Sequence, residues 1–286
     1  MSGRGRRAGF TLIELLLVII ILAAIAGAAV ATLETATGDA RIRDEDTRNR
    51  LERVRTAILG PDGATTPQGF VADVGRLPQS LAELVAPAVV PPGWRGPYLR
   101  TLPGPTGALD FPDGWGAPDA LDGNFGWSLA PVISETFPLQ SFGQGHVAGP
   151  FPADDPYAVD VPAAGTPLVG SSDWLIPVAG KAMNVEVVSA APHSNVDVVL
   201  AIVFSDGGAA PIVVEAGALT GQTVSTSGPN TFSVVFAPLE DTRIPIGRRQ
   251  LRVQLRTGAS VEAEGRRDVL LLPRGDLPAD IRVVVQ

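Results

Sequence analysis

Three residues near the start of the chain combine into a chemistry that none of them has alone: Gly9, Phe10 and Glu14. Glu14 is the single charge in residues 10–33, and a carboxylate near the start of so apolar a run is costly enough to read as functional. A cut after Gly9 would place a new α-amine on Phe10, one helical turn before Glu14. That amine titrates at about 8, so it would be largely protonated at neutral pH. Its own helix holds it poorly for meeting the Glu14 carboxylate. A neighbouring helix shifted along the axis presents the amine better, and the pair then neutralises two charges in an apolar medium. The spacing predicts helices stacked in a staggered array, with Gly9 and Phe10 as processing residues and Glu14 as an assembly contact.

The element that must position these residues is the apolar run itself. As a helix, residues 10–33 reach roughly 36 Å, enough to cross a bilayer core. The leader before it, residues 1–9, carries Arg4, Arg6 and Arg7, so the positive-inside rule puts the N-terminus in the cytoplasm and the remainder on the far side of the membrane. A secretory signal peptide would instead be cut after a small-x-small site, for which Ala24-Ile25-Ala26 is available. A plain membrane anchor explains the length of the run but not Gly9, Phe10 and Glu14 together. Beyond the run, residues 34–59 read as a continuing helix. Leu33, Ala36, Ala40, Thr47, Leu51, Val54 and Ile58 form one small or apolar stripe. Asp39/Arg43, Arg41/Glu45, Asp44/Arg48 and Asp46/Arg50 are spaced as i,i+4 ion pairs on the other faces. Gly60-Pro61 ends the helix.

This N-terminus, from the basic leader through Gly9-Phe10-Thr11-Leu12-Ile13-Glu14 into an unbroken apolar run, resembles a type IV pilin or pseudopilin precursor. The resemblance implies cleavage after Gly9 by a prepilin peptidase, methylation of the Phe10 amine, and an assembly role for Glu14. Pilins commonly carry a proline in the upper apolar half of this helix; residues 28–33 contain none. Further on, Leu77-Pro78 before Leu81, Glu83 and Leu84, then Gly96-Pro97-Tyr98-Leu99, Leu102-Pro103 and Trp115-Gly116-Ala117-Pro118 are similar in order to the head of type II secretion pseudopilins. The likeness covers roughly residues 9–130. Trp94, Tyr98 and Trp115 read as core plugs under turns rather than a ligand platform. Major pseudopilins hold calcium in a head loop, and Asp110, Asp113, Asp119, Asp122 and Asn124 offer oxygen donors for such an ion. Their spacing fits no EF-hand, and turn formation by Asp and Asn accounts for them more simply.

Composition narrows the rest. The chain has 286 residues, 32 glycines, 26 prolines, no cysteine and a net charge of −8, which loss of the leader makes more acidic still. An acidic exterior argues against nucleic acid as a partner. Without cysteine there is no disulfide of the kind that closes many type IV pilins. Residues 141–166, rich in proline, glycine and alanine, read as a linker or extended strap. Strand patterns follow at 174–178, 184–189, 197–205, 211–215, 231–236, 250–256, 269–272 and 281–285, with Leu251, Val253 and Leu255 on one face and Arg252, Gln254 and Arg256 on the other. Asp206-Gly207-Gly208 signals a hairpin.

The expected fold is therefore α+β: a leader (1–9), a long pilin-type helix (10–59, membrane half 10–33), a small pseudopilin-like head (60–140), a linker (141–166) and an all-β immunoglobulin-like sandwich (167–286). Neither His146 nor His193 sits in a catalytic or metal-binding pattern, so no enzyme chemistry and no cofactor are expected. The expected function is structural: a pilin-like subunit, in a type II secretion pseudopilus or a related filament, that associates with itself and with other pseudopilins. The alternative is a membrane-anchored periplasmic protein that binds a partner through its sandwich.

Overall fold

A computed structural model describes residues 12–64, 68–103, 109–116, 123–132, 135–146, 157, 159–206, 208, 210–236, 242–272, 277–278 and 281–286; the side chains of 29–37, 102–103 and 109 are also outside the description. Gly9, Phe10, Asp119 and Asp122 lie outside the described residues.

The first element, α1 (Leu12–Leu59), is one helix of 48 residues, about 72 Å at 1.5 Å per residue. Its first part is Leu, Ile and Ala, strong or adequate helix formers. Large apolar side chains there face outward in every direction, from Leu12 (84% exposed) to Ile25 (61%). The later part follows a different rule. Thr47, Leu51, Val54 and Ile58 are buried at helical spacing, each apolar one contributing about 2 kcal/mol. Three of the expected ion pairs form: Arg41–Glu45 at 2.9 Å, Arg48–Asp44 at 2.9 Å and Arg50–Asp46 at 2.8 Å. Asp39 with Arg43 is not among the ion pairs of the described residues. The helix stops at Gly60, whose φ of +89° suits a residue without Cβ and whose N–H donates to the Thr56 carbonyl at 2.7 Å.

The head begins with α2 (Phe70–Val74) and α3 (Ala82–Val85), followed by two short antiparallel pairs, β1 (Leu102–Pro103) with β2 (Leu109–Asp110) and β3 (Ser128–Leu129) with β4 (Leu139–Gln140). Leu81, Leu84 and Val85 are buried together. By residue type Phe125-Gly126-Trp127-Ser128-Leu129 reads as a strand, but only Ser128–Leu129 forms one, because Phe125 and Gly126 take positive φ (55° and 83°) in a turn closed by Trp127 N–H on the Asn124 carbonyl. Phe137 then pairs with Val169 and Ser141 with Val161, so the described parts of 141–166 return antiparallel along the chain that leads into them.

The C-terminal half opens with α4 (Ser171–Trp174) and continues almost entirely as strands: β5 (Leu175–Pro177), β6 (Ala182–Ser189), β7 (His193–Phe204), β8 (Ile212–Glu215), β9 (Leu219–Val224), β10 (Asn230–Val235), β11 (Arg243–Pro245), β12 (Gly247–Thr257), β13 (Ser260–Leu271) and β14 (Ile281–Val285). One sheet runs β13-β12-β7-β8, with β9 also on β7; a second runs β10-β6-β14, with β14 parallel to β6; β5 pairs with β11. The α+β expectation holds: one long helix followed by mostly strand. Every strand pattern read from the sequence coincides with a strand. Two more, β9 and β11, and the polar first part of β13 are additions, since Leu219-Thr220-Gly221-Gln222 and Glu262-Ala263-Glu264-Gly265 carry too little alternation to announce themselves. Glu264 and Gln286 exchange backbone hydrogen bonds at 3.1 and 3.2 Å, and Gly217 N–H donates to the Val235 carbonyl at 3.0 Å, which stitches the two sheets together. Leu200, Ile202, Val253 and Leu255 from one sheet join Val185, Val187, Val234 and Val283 from the other in one apolar cluster.

That cluster extends without a break to Val54 and Ile58 of α1. At the junction sits Arg249, 4% exposed. Its guanidinium donates to the carbonyls of Val71 (3.0 Å) and Ala72 (3.1 Å) in α2, of Pro245 (2.9 Å) and Arg248 (3.1 Å), and of Ile246, and lies over the Phe204 ring. Burial lowers its pKa to about 10, which leaves it charged at neutral pH. Beside it Gly247, at φ +120°, passes so close to α2 that a Cβ would lie 2.4 Å from the Ala72 carbonyl oxygen. Removing the guanidinium strands several buried carbonyls, each costing about 1–3 kcal/mol. Arg249→Met is expected to lower unfolding stability by about 3 kcal/mol or more, and Arg249→Lys by nearly as much, because one ammonium cannot serve a fork of acceptors. Urea unfolding of the detergent-solubilised protein, followed by tryptophan fluorescence, measures this; an unchanged midpoint in both variants would remove Arg249 from the role of lock.

Candidate functional site

The N-terminal site is built on the first described turn of α1. Glu14 lies there. Around it Leu12, Ile13, Leu15, Leu16 and Leu17 are all exposed, so the carboxylate stands on a helix whose surface is otherwise hydrocarbon. Among the described residues no helix is both long and apolar enough to cross a membrane. The fully described apolar part of α1 covers 12–28, and the expected span of 10–33 extends past it at both ends.

The oxygen-rich loop of the head has a different role in its described part. Asp113 is buried, and its Oδ1 accepts the Trp115 N–H at 3.0 Å while its Oδ2 accepts the Ser141 hydroxyl at 2.6 Å. Asn124 Oδ1 accepts the Leu81 N–H at 3.1 Å, which holds the start of α3. Asp110 is half-buried in β2. Next to Asp113, Gly114 N–H donates to Thr47 Oγ1 at 3.0 Å, and Arg50 of α1 donates to the Pro112 carbonyl at 2.6 Å. The loop is thereby fastened to α1, which explains why a threonine interrupts the apolar stripe. Among the described residues no group of three or more His, Cys, Asp or Glu is arranged to hold a metal ion.

Aromatic side chains pack as plugs. Trp115 is buried, and Trp94 donates its indole N–H to the Glu83 carbonyl at 2.9 Å and meets Tyr98 edge-on at 5.8 Å. His146 is exposed. His193 Nδ1 lies 3.1 Å from Glu262 Oε2, and the Thr257 hydroxyl donates to Glu262 Oε1. Those two contacts, Thr257 first, hold the Glu262 carboxyl below its usual range.

Comparison with known proteins addresses the N-terminus directly. Residues 4–30 match the family model described as the prokaryotic N-terminal methylation motif. The chain therefore has the N-terminus of a type IV pilin-like precursor, the kind that prepilin peptidase processes and that anchors a subunit in the inner membrane. Comparison with curated proteins finds no match, and comparison with solved structures finds none. Sequence reasoning missed Arg249 as the junction lock, although a signal was present: Arg249 falls two residues before Leu251, on the inward phase of the same strand.

If Asp113 is a loop staple, Asp113→Ala lowers the melting temperature equally with calcium or with chelator, at a cost of about 1–3 kcal/mol for the orphaned donors. A calcium-dependent rise in melting temperature that Asp113→Ala abolishes would assign the residue to a cation instead.

Proposed function

We propose that this chain is a structural subunit of a filament rooted in the inner membrane, and that the filament is a type II secretion pseudopilus. The observation that carries this reading is the exposed apolar part of α1, which lies within the matched methylation motif and leads without interruption into the part of the helix that carries a folded head. Such a surface needs lipid before assembly and other helices after it. In this reading the peptidase cuts between Gly9 and Phe10, and Glu14 of one subunit meets the Phe10 amine of a neighbour, setting the stagger between them. The leader faces the cytoplasm and residues 34–286 the periplasm.

The head resembling those of pseudopilins spans 60–140, and residues 167–286 form an immunoglobulin-like sandwich, a reading supported by two stitched sheets of mostly antiparallel strands. A sandwich of that size added to each head hinders close packing of many copies. The chain thus fits a minor subunit, or one that decorates its filament. Calcium at Asp110, Asp113, Asp119, Asp122 and Asn124 is not required by this function.

Glu14→Val tests it. The variant is expected to be cleaved and held in the membrane like the wild type, yet to be absent from sheared or cross-linked filaments. Incorporation at the wild-type level would end the assembly role of Glu14.

A further inference from the structure

The wet face of α1 forms one wall of a large groove. Asn49, Glu52, Arg53 and Thr56 share one face there, in i,i+3 and i,i+4 pairs, opposite the buried stripe of Leu51, Val54 and Ile58. The loop carrying Arg95, Tyr98 and Arg100 supplies a second wall, and Arg248 of β12 also lines the groove. Its volume is about 1110 Å³, at the upper end of ordinary ligand clefts, which run to about 1,000 Å³. That is room for an extended chain rather than a single ion.

Charge decides what such a chain must carry. Asp73, inside the groove, is already engaged: the Tyr98 hydroxyl donates to its Oδ2 at 2.9 Å, and Arg95 lies 4.0 Å from its other oxygen. Burial pushes the Tyr98 hydroxyl pKa up, so that bond persists at any physiological pH. Arg53, Arg100 and Arg248 are exposed and have no carboxylate partner among the described residues. Uncommitted guanidinium groups thus converge on one groove of a chain whose net charge is −8. Glu52 and Asp73 repel a uniformly anionic polymer. Glu52, with Asn49 and Gln68, also offers acceptors to backbone N–H groups, a mix that favours a polypeptide over a sulfated polysaccharide.

We propose that this groove docks an extended acidic peptide segment of a partner protein, whose carboxylates pair with Arg53, Arg100 and Arg248. The inference stands on the groove alone and does not depend on filament assembly.

The full mature chain in a zwitterionic detergent is titrated into a fluorescein-labelled Glu-Gly repeat peptide and followed by anisotropy. Saturable binding that weakens with added salt is expected. Arg53→Ala, Arg100→Ala and Arg248→Ala should each weaken it about two- to fivefold and the triple variant by about tenfold or more. Arg266→Ala, on β13 away from the groove, should leave binding unchanged, as should the conservative Arg53→Lys to within about twofold. Absence of saturable binding by the wild type, or binding that the triple variant retains, overturns the proposal. Tighter binding of heparin than of the peptide, lost in the triple variant, overturns it in favour of a polysaccharide site.

Discussion

One helix has to satisfy two solvents, and the rest of the molecule follows from how it does so. In water, exposing on the order of ten leucine and isoleucine side chains would cost tens of kcal/mol, more than the 5–15 kcal/mol by which whole domains are typically stable. The first part of α1 is therefore unsuited to an aqueous environment and needs lipid or other helices around it. The second part has the opposite requirement. Its charged faces, laced by Arg41–Glu45, Arg48–Asp44 and Arg50–Asp46, suit water, while the Thr47–Leu51–Val54–Ile58 stripe, joined near the helix end by Ala57 and Leu59, is buried. Surface ion pairs of this kind add a few tenths of a kcal/mol each. The stripe supplies most of the binding energy between helix and head.

Because α1 is continuous, whatever holds the head to its second part also fixes the head relative to its apolar first part. Two polar devices do this besides the stripe. Thr47 and Arg50 fasten the loop at Pro112–Gly114. Arg249 ties α2 to the strands of the C-terminal half through backbone carbonyls rather than through a carboxylate. Such a lock tolerates no shorter or unbranched cation, and it makes the strand-rich half part of the same apolar cluster as α1.

Much of this was legible in the sequence where period and chemistry coincide. Gly9, Phe10 and Glu14 pointed to a pilin-like N-terminus, and residues 4–30 match the methylation motif. Gly60-Pro61 marked the end of α1, and the alternation of Leu251, Val253 and Leu255 marked β12 with its buried face. What escaped depends on long-range packing. Strand β9 has apolar residues only at its two ends, Leu219 and Val224, and β11 is three residues closed by Pro245, so nothing local distinguishes them from loops. Phe125 reads as strand by type, but a turn forces it to positive φ. The arginine groove joins residues 53, 95–100 and 248, three stretches that only the fold brings together.

The most direct test of the account is the intact mass and N-terminal sequence of the protein purified from membranes of a host that contains a prepilin peptidase. The account predicts a chain that begins at Phe10 and carries one added methyl group on its α-amine. A chain that still begins at Met1, or one that begins just after Ala26, would contradict it.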